Sequence, residues 1–297
     1  MYKIVYILIL ILVIIFWHYD ILRYIKINIS PLSDVKKYCT VPRVKVKTKV
    51  IICFTTTPKR LDRCQYTIES LLLQTVRVDE IRIHVGNYKL PTWLRLLERQ
   101  LPEFRIIRCD KDWGPATKLI PALLDKTLTE DTRIIYLDDD MIYNKRTIET
   151  LISYSIIYPK HAICNKGWNV DKYPETLTNL CWNFIKGVIT PLESVVDVIQ
   201  GFSGVLVRPS FFGDEITECH KYPKESYYVD DVYISGILNN RNVGCISTGI
   251  PSCIPYVREI LNEMILTPTS LATIHNKDKK NDCIVANFFN WTKQVAL

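Results

Sequence analysis

The segment RIIYLDDDMIY, Arg133–Tyr143, decides how the rest of the chain is read. Apolar residues Ile134–Leu137 lead directly into Asp138, Asp139 and Asp140, and Met141 and Ile142 turn apolar again. Adjacent ionised carboxylates repel one another, and each is expensive in an apolar setting unless a cation pairs with it. Two readings stand at this point: a solvated turn after a strand, or a strand end built to meet a cation.

Working outward, the flanking pattern alternates. Val50–Phe54 reads as a short buried strand with TTTPKR as its loop, and Leu61, Cys64, Ile68, Leu71 and Leu72 then recur at helical spacing. Ile81–Val85 reads as a second strand, with a helix opening near Pro91. Phe104–Arg108 is a third, and CDKDWGP leads into a helix expected from Ala116 to about Leu128. Arg133–Leu137 is the fourth. Strands alternating with helices predict an α/β fold with a mostly parallel, Rossmann-like sheet flanked by helices. In such sheets the ligand lies beyond the carboxyl ends of the strands. Here those ends carry Thr55 to Arg60, Asp110 to Pro115 and the aspartate run, which favours the cation reading.

Neither G-x-G-x-x-G after the first strand nor G-x-x-x-x-G-K-[ST] is present, so neither a dinucleotide fold nor a P-loop is supported. A diphosphate is held without a glycine cradle when a hard divalent cation is bound by one or two carboxylates and the phosphate oxygens. Arg60 and Lys118 are placed to add charge-assisted contacts from neighbouring strand ends.

The 297 residues, 48% hydrophobic and 23% charged with a net charge of +7, describe a folded globular chain with ample core. The charge is spread along the chain, and no zinc-finger spacing or ribonucleoprotein motif is present, so no nucleic-acid partner is expected. The ten cysteines show no C-x-x-C pair, and buried free thiols are the default for those in strand-like runs. At the amino terminus Ile4–Trp17 is an unbroken apolar run of 14 residues. As a helix it reaches about 21 Å, and extended to Leu22 about 28 Å, close to the bilayer core. HYDILRY offers no small-residue cleavage site, so an uncleaved signal-anchor is expected over residues 1–26 rather than a removable signal peptide. A polar stem over 27–49 and a catalytic domain over 50–297 follow, the latter with a nucleotide-binding half (50–140) and an acceptor-binding half (141–297). The expected location is a single-pass membrane position, Golgi- or ER-like or in a bacterial or viral host membrane.

FTTTPKR, DWGPATKL, LDDD, IQGFSGVLVRPSFF and YVDDVYISGIL, in this order and spacing, resemble nucleotide-sugar-dependent glycosyltransferases of the GT-A fold. They look most like the exostosin-like N-acetylhexosaminyltransferase domain and its bacterial and viral relatives. The resemblance covers roughly Val50 to Ile246; the tail from Ile265 departs from it. It implies a hexosyl- or N-acetylhexosaminyltransferase moving a sugar from a nucleotide-sugar donor, UDP-linked first, to a glycan, lipid or protein acceptor with Mn²⁺ or Mg²⁺. It implies that Asp138 faces the ribose and shares the metal, that Asp140 ligates it, and that Asp139 helps either neighbour. Thr55, Arg60 and Lys118 fall where the donor's base and diphosphate are met. Asp230 and Asp231 fall on the acidic pair near the acceptor and anomeric carbon, and His275 on a C-terminal metal ligand. Blander readings accompany each: Arg60 capping the first helix, Lys118 solvated, Asp230 or Asp231 as an N-cap, and His275 facing solvent. Glu193 and Asp197 are the next carboxylates in line. Two other classes compete, a haloacid-type phosphohydrolase and a membrane-anchored carbohydrate-binding module without turnover.

Overall fold

Val50, Ile52 and Phe54 pack on one face of the central strand and Ile51 and Cys53 on the other, and all five are fully buried. A strand apolar on both faces must be covered on both, and that requirement sets the layers. The computed structural model describes residues 21–32, 38, 44–45, 47–170, 193–221, 227–256, 289 and 291. Within them, eight strands form the main sheet: β1 Val50–Thr55, β2 Glu80–Val85, β3 Phe104–Arg108, β4 Arg133–Tyr136, β5 Ala162–Cys164, β6 Ser194–Val196, β7 Val205–Val207 and β8 Cys245–Ser247. Their order is β6-β8-β5-β7-β4-β1-β2-β3. The helices are α1 Ile21–Ile29, α2 Cys64–Leu72, α3 Thr92–Gln100, α4 Thr147–Ile157 and α5 Asp230–Asn240.

The sheet is mostly parallel. β4, β1, β2 and β3 are parallel neighbours, with Ile51 opposite Ile134 and Ile52 opposite Ile81. β7 runs antiparallel to both β4 and β5, and β6 antiparallel to β8. These two reversed strands come from the second half, where the alternating strand–helix pattern stops. Residues of α2, α3 and α4 (Ile68, Leu94, Leu97, Leu151) share one core with Val50, Ile52 and Phe54. Ala116, Leu119, Val232 and Ile237 share the other with Ile51, Cys53 and Tyr136. The chain builds outward from β1 to β3 and then crosses back to place β4 on the other side of β1. The carboxyl ends of β1 and β4 therefore border the point where the winding reverses, the place where open α/β sheets bind ligands.

The structure departs from the sequence pattern in two further places. The helix expected from Ala116 to Leu128 is a 3₁₀ stretch, Gly114–Lys118, followed by a single turn, Ile120–Leu123. Pro121 has no N–H to give to the carbonyl of Thr117, so a continuous α-helical ladder cannot run through this segment. The expected boundary between anchor and stem, at residues 26 and 27, falls inside α1. That helix is docked on the domain: Arg23 donates to the carbonyls of Tyr143 (2.9 Å) and Ser70 (2.8 Å), and the Tyr24 hydroxyl to Pro255 (2.7 Å). Ile27 is fully buried with Ile142 and Tyr256. Among the described residues no helix is long and apolar enough to cross a membrane; Ile4–Trp17 lies outside them. The seven cysteines described are free thiols.

Candidate active site at the carboxyl end of the sheet

Lys118 is the centre of the arrangement. Its Nζ lies 2.6 Å from Asp138 Oδ1, 2.9 Å from Asp230 Oδ2 and 4.0 Å from Asp231 Oδ1, and only 3% of the residue is exposed. Burial disfavours the ammonium, yet the three carboxylates hold its pKa well above the ordinary lysine value. Two acidic clusters some ninety residues apart in sequence thus meet on one buried cation.

The segment that carries Lys118 is fixed from β2. The imidazole Nδ1 of His84 lies 2.7 Å from the carbonyl of Thr117, the same carbonyl that Pro121 leaves without a helical donor. A carbonyl only accepts, so Nδ1 carries the proton. Burial lowers the His84 pKa to about 4, keeping the ring neutral. At the preceding turn Gly114 has φ +62°, and a Cβ there would come within 2.6 Å of the Tyr227 carbonyl, so glycine is required on both counts. Lys111 Nζ sits 3.5 Å from the centre of the buried Trp113 ring.

The second cation, Arg60, stands in the loop after β1. Its guanidinium lies 3.3 Å from Asp139 Oδ1 and forms a close ion pair with Asp140. Asp139 is buried, which pushes its carboxyl up to about 7; Arg60 pulls it down and Asp140 pushes it further up. The loop after β4 is pinned by Tyr143, whose hydroxyl accepts the amide of Asp138 (3.1 Å) and donates to the carbonyl of Phe202 (2.9 Å). Asp138 is thereby tied to the Gly201–Ser203 turn that precedes β7.

Asp230 and Asp231 open α5, yet neither is its N-cap. Val229 holds that position and no side chain caps the helix, so the capping reading fails. Asp231 Oδ1 instead accepts the amide of Gly201 at 2.9 Å. A Cβ on Gly201 would lie 2.4 Å from Lys118 Nζ. Glycine at this position leaves the space Lys118 needs. Burial, with Asp230 and Asp138 adding repulsion and Lys118 opposing them, raises the Asp231 carboxyl to about 8. The positive end of the α5 dipole faces the same carboxylates.

The structure brings together Arg60, Lys118, Asp138, Asp139, Asp140, Asp230 and Asp231 from the sequence-predicted set. Thr55 lies at the same strand end, its hydroxyl donating to the carbonyl of His84 at 2.9 Å, a bond between β1 and β2. Lys118 is neither solvated nor an open phosphate contact, because three carboxylates surround it. Glu193 bonds Tyr158, and Asp197 receives the amide of Val170 at 2.8 Å; neither contacts this cluster. His275 lies outside the described residues. Sequence reasoning missed His84 and Tyr143. The only sign of either was a polar atom inside an otherwise apolar strand.

The donor set fits a hard cation only in one way. Among the described residues no three His, Cys, Asp or Glu side chains converge as a ready ligand cage. Five carboxylates nevertheless face two cations, and all their donors are oxygens. That suits Mn²⁺ or Mg²⁺ held by one or two carboxylates, with the remaining ligands coming from a bound diphosphate.

No protein-family model and no curated protein matches the chain. Among solved structures it is similar to the mannosyltransferase PcManGT from Pyrobaculum calidifontis in complex with GDP-Man and Mn²⁺, with 13% identity, TM-score 0.49, and 83% of this chain and 68% of that one covered. It is also similar to GalNAc-T7 with UDP, GalNAc and Mn²⁺, with 10% identity, TM-score 0.45, and 80% and 50% covered. A third is TarS of S. aureus, with 13% identity, TM-score 0.44, and 79% and 69% covered.

Proposed function

We propose that this protein is a membrane-anchored glycosyltransferase of the GT-A type. It moves a hexose or N-acetylhexosamine from a nucleotide-sugar donor, a UDP-sugar first, to a hydroxyl of a glycan, lipid or protein acceptor. The observation that carries the reading is the meeting of Asp138 and the Asp230–Asp231 pair on buried Lys118, at the point where the sheet winding reverses.

Asp138 and Asp140 would hold Mn²⁺ or Mg²⁺, with His275 as a further ligand from the C-terminal tail. A cation bound there would supply Lewis-acid neutralisation of the leaving diphosphate. Arg60, about a third exposed on its side chain, is free to trade part of its contact with Asp140 for phosphate oxygens in charge-assisted bonds. Thr55 lines the approach from β1. Asp231 is the better placed of the acidic pair to meet substrate, with 31% of its side chain exposed against 11% for Asp230. Its Oδ1 is fixed by the Gly201 amide, and its raised proton affinity suits a group that takes the acceptor's hydroxyl proton in an inverting reaction. In a retaining reaction the same carboxylate steadies the cationic sugar. Asp230 stays buried against Lys118 and positions the pair.

The test is a donor panel on the full chain in detergent, UDP- and GDP-sugars with Mn²⁺ or with chelator, read as nucleotide release and as anomeric configuration of the product. Metal-dependent release from one donor class is the expected result. Release of phosphate from a generic ester, with no sugar nucleotide consumed, would replace the reading with the phosphohydrolase.

A further inference from the structure

Helix α1 turns one face to the domain and leaves an apolar one uncovered. At 100° per residue, Arg23, Tyr24 and Ile27 fall on the side turned to the domain, where Ile27 is buried and the other two bond backbone carbonyls. Leu22, Ile25 and Ile29, at i, i+3 and i+7, fall on the opposite side and are 69%, 45% and 78% exposed. Their apolar stripe is flanked by Lys26, and the helix carries no acidic residue.

We propose that this stripe lies in the membrane–water interface, so that the domain is held flat against the bilayer through α1 and does not hang from a flexible stem. The inference rests on the reading of Ile4–Trp17 as an anchor. Only His18, Tyr19 and Asp20 separate that run from α1, and four residue steps reach at most about 14 Å. A helix tied so closely to a membrane-buried segment begins within about 14 Å of the bilayer core, near the headgroup region. A helix rigidly docked on one side presents its other side to whatever lies there. Exposed apolar side chains on a helix without acidic residues are the composition that an interfacial helix needs. Arg23, which would otherwise count as a charge flanking the anchor, is occupied by the carbonyls of Tyr143 and Ser70. The same contact joins the membrane surface to the active-site loop, since Tyr143 also holds Asp138.

The experiment uses the full chain in vesicles of neutral and anionic phospholipid doped with a phospholipid carrying a diazirine near the top of its acyl chain. After irradiation, adducts are mapped by mass spectrometry. Adducts are expected on Ile4–Trp17 and on Leu22, Ile25 and Ile29, with none on Ile156 and Ile157, which are equally exposed at the end of α4. The double variant Ile25→Glu/Ile29→Glu should cut labelling of α1 about fivefold, leaving labelling of Ile4–Trp17 and the melting temperature unchanged. Adducts confined to Ile4–Trp17, or crosslinks from α1 to a second copy of the chain, would overturn the interfacial placement while leaving the anchor in place. Absence of adducts from both segments would overturn the anchor as well.

Discussion

Lys118 and Arg60 both neutralise aspartates of one site, but they stand in opposite environments. Lys118 is a compact charge sealed under Gly201, with 4% of its side chain exposed and three carboxylates around it. Arg60 is a planar fork with 32% of its side chain exposed, spanning Asp139 and Asp140 at the open edge. Removing the sealed cation leaves three carboxylates with no countercharge between them and Asp230 buried, whereas the partly exposed Arg60 meets Asp140 where water also reaches and only Asp139 lies buried beneath it. The contrast separates a cation that builds the site from one available to a ligand.

The largest expected effect is therefore at Lys118. Lys118→Met keeps the volume and strands Asp138, Asp230 and Asp231, and should cost about 3–5 kcal/mol in thermal or denaturant unfolding. A variant as stable as the parent would mean that Lys118 is no more structural than Arg60.

His84 tests the frame that holds Lys118. Its folded pKa, about 4, lies below the ordinary 6.5. The folded state thus binds fewer protons between these values, and stability present above pH 6.5 is lost as pH falls toward 4. The loss should approach about 3 kcal/mol across that window. His84→Gln should flatten this part of the stability–pH curve; an unchanged curve would remove His84 from the account.

Asp231 sharpens the comparison from the carboxylate side. Asp231→Asn should lower turnover roughly a hundredfold, equivalent to about 2.7 kcal/mol of barrier. The melting temperature should hold or rise, because an ionised Asp231 is disfavoured where it stands. Asp230→Asn should affect turnover less. Initial rates, donor binding and melting of both variants decide it, and normal turnover in both would make the pair structural.

The smallest overall effect belongs to Arg60. Arg60→Lys should move unfolding by less than about 1 kcal/mol, while raising the donor KM about tenfold because a lysine cannot bridge two acceptors as a fork does. A large loss of stability with unchanged KM would erase the distinction from Lys118.

Much of this was legible along the chain. The first four strands follow from short apolar runs, and Phe104–Arg108 matches its expected bounds residue for residue. Asp138–Asp140 and Asp230–Asp231 stood out because charge followed directly on strand or preceded a helix. The second half of the sheet was less legible: β5 and β6 are three residues each, too short to show a period, and the sense of β7 depends on its neighbours β4 and β5. In α1 the sequence showed an apolar stretch running on from Ile4–Trp17, but not that Ile27 and Arg23 had a surface to meet.

Which segments are apolar on both faces and where the carboxylates gather can be read along the chain, because periodicity and local charge are properties of neighbours. That Lys118 is buried, that Gly201 makes room for it, and that Thr117 offers its carbonyl to His84 emerges only in the folded molecule. Each of these depends on groups tens of residues apart arriving at one place. A lysine one turn from a strand end has the same local sequence whether water or three aspartates surround it, and the energy of its charge is set by that difference.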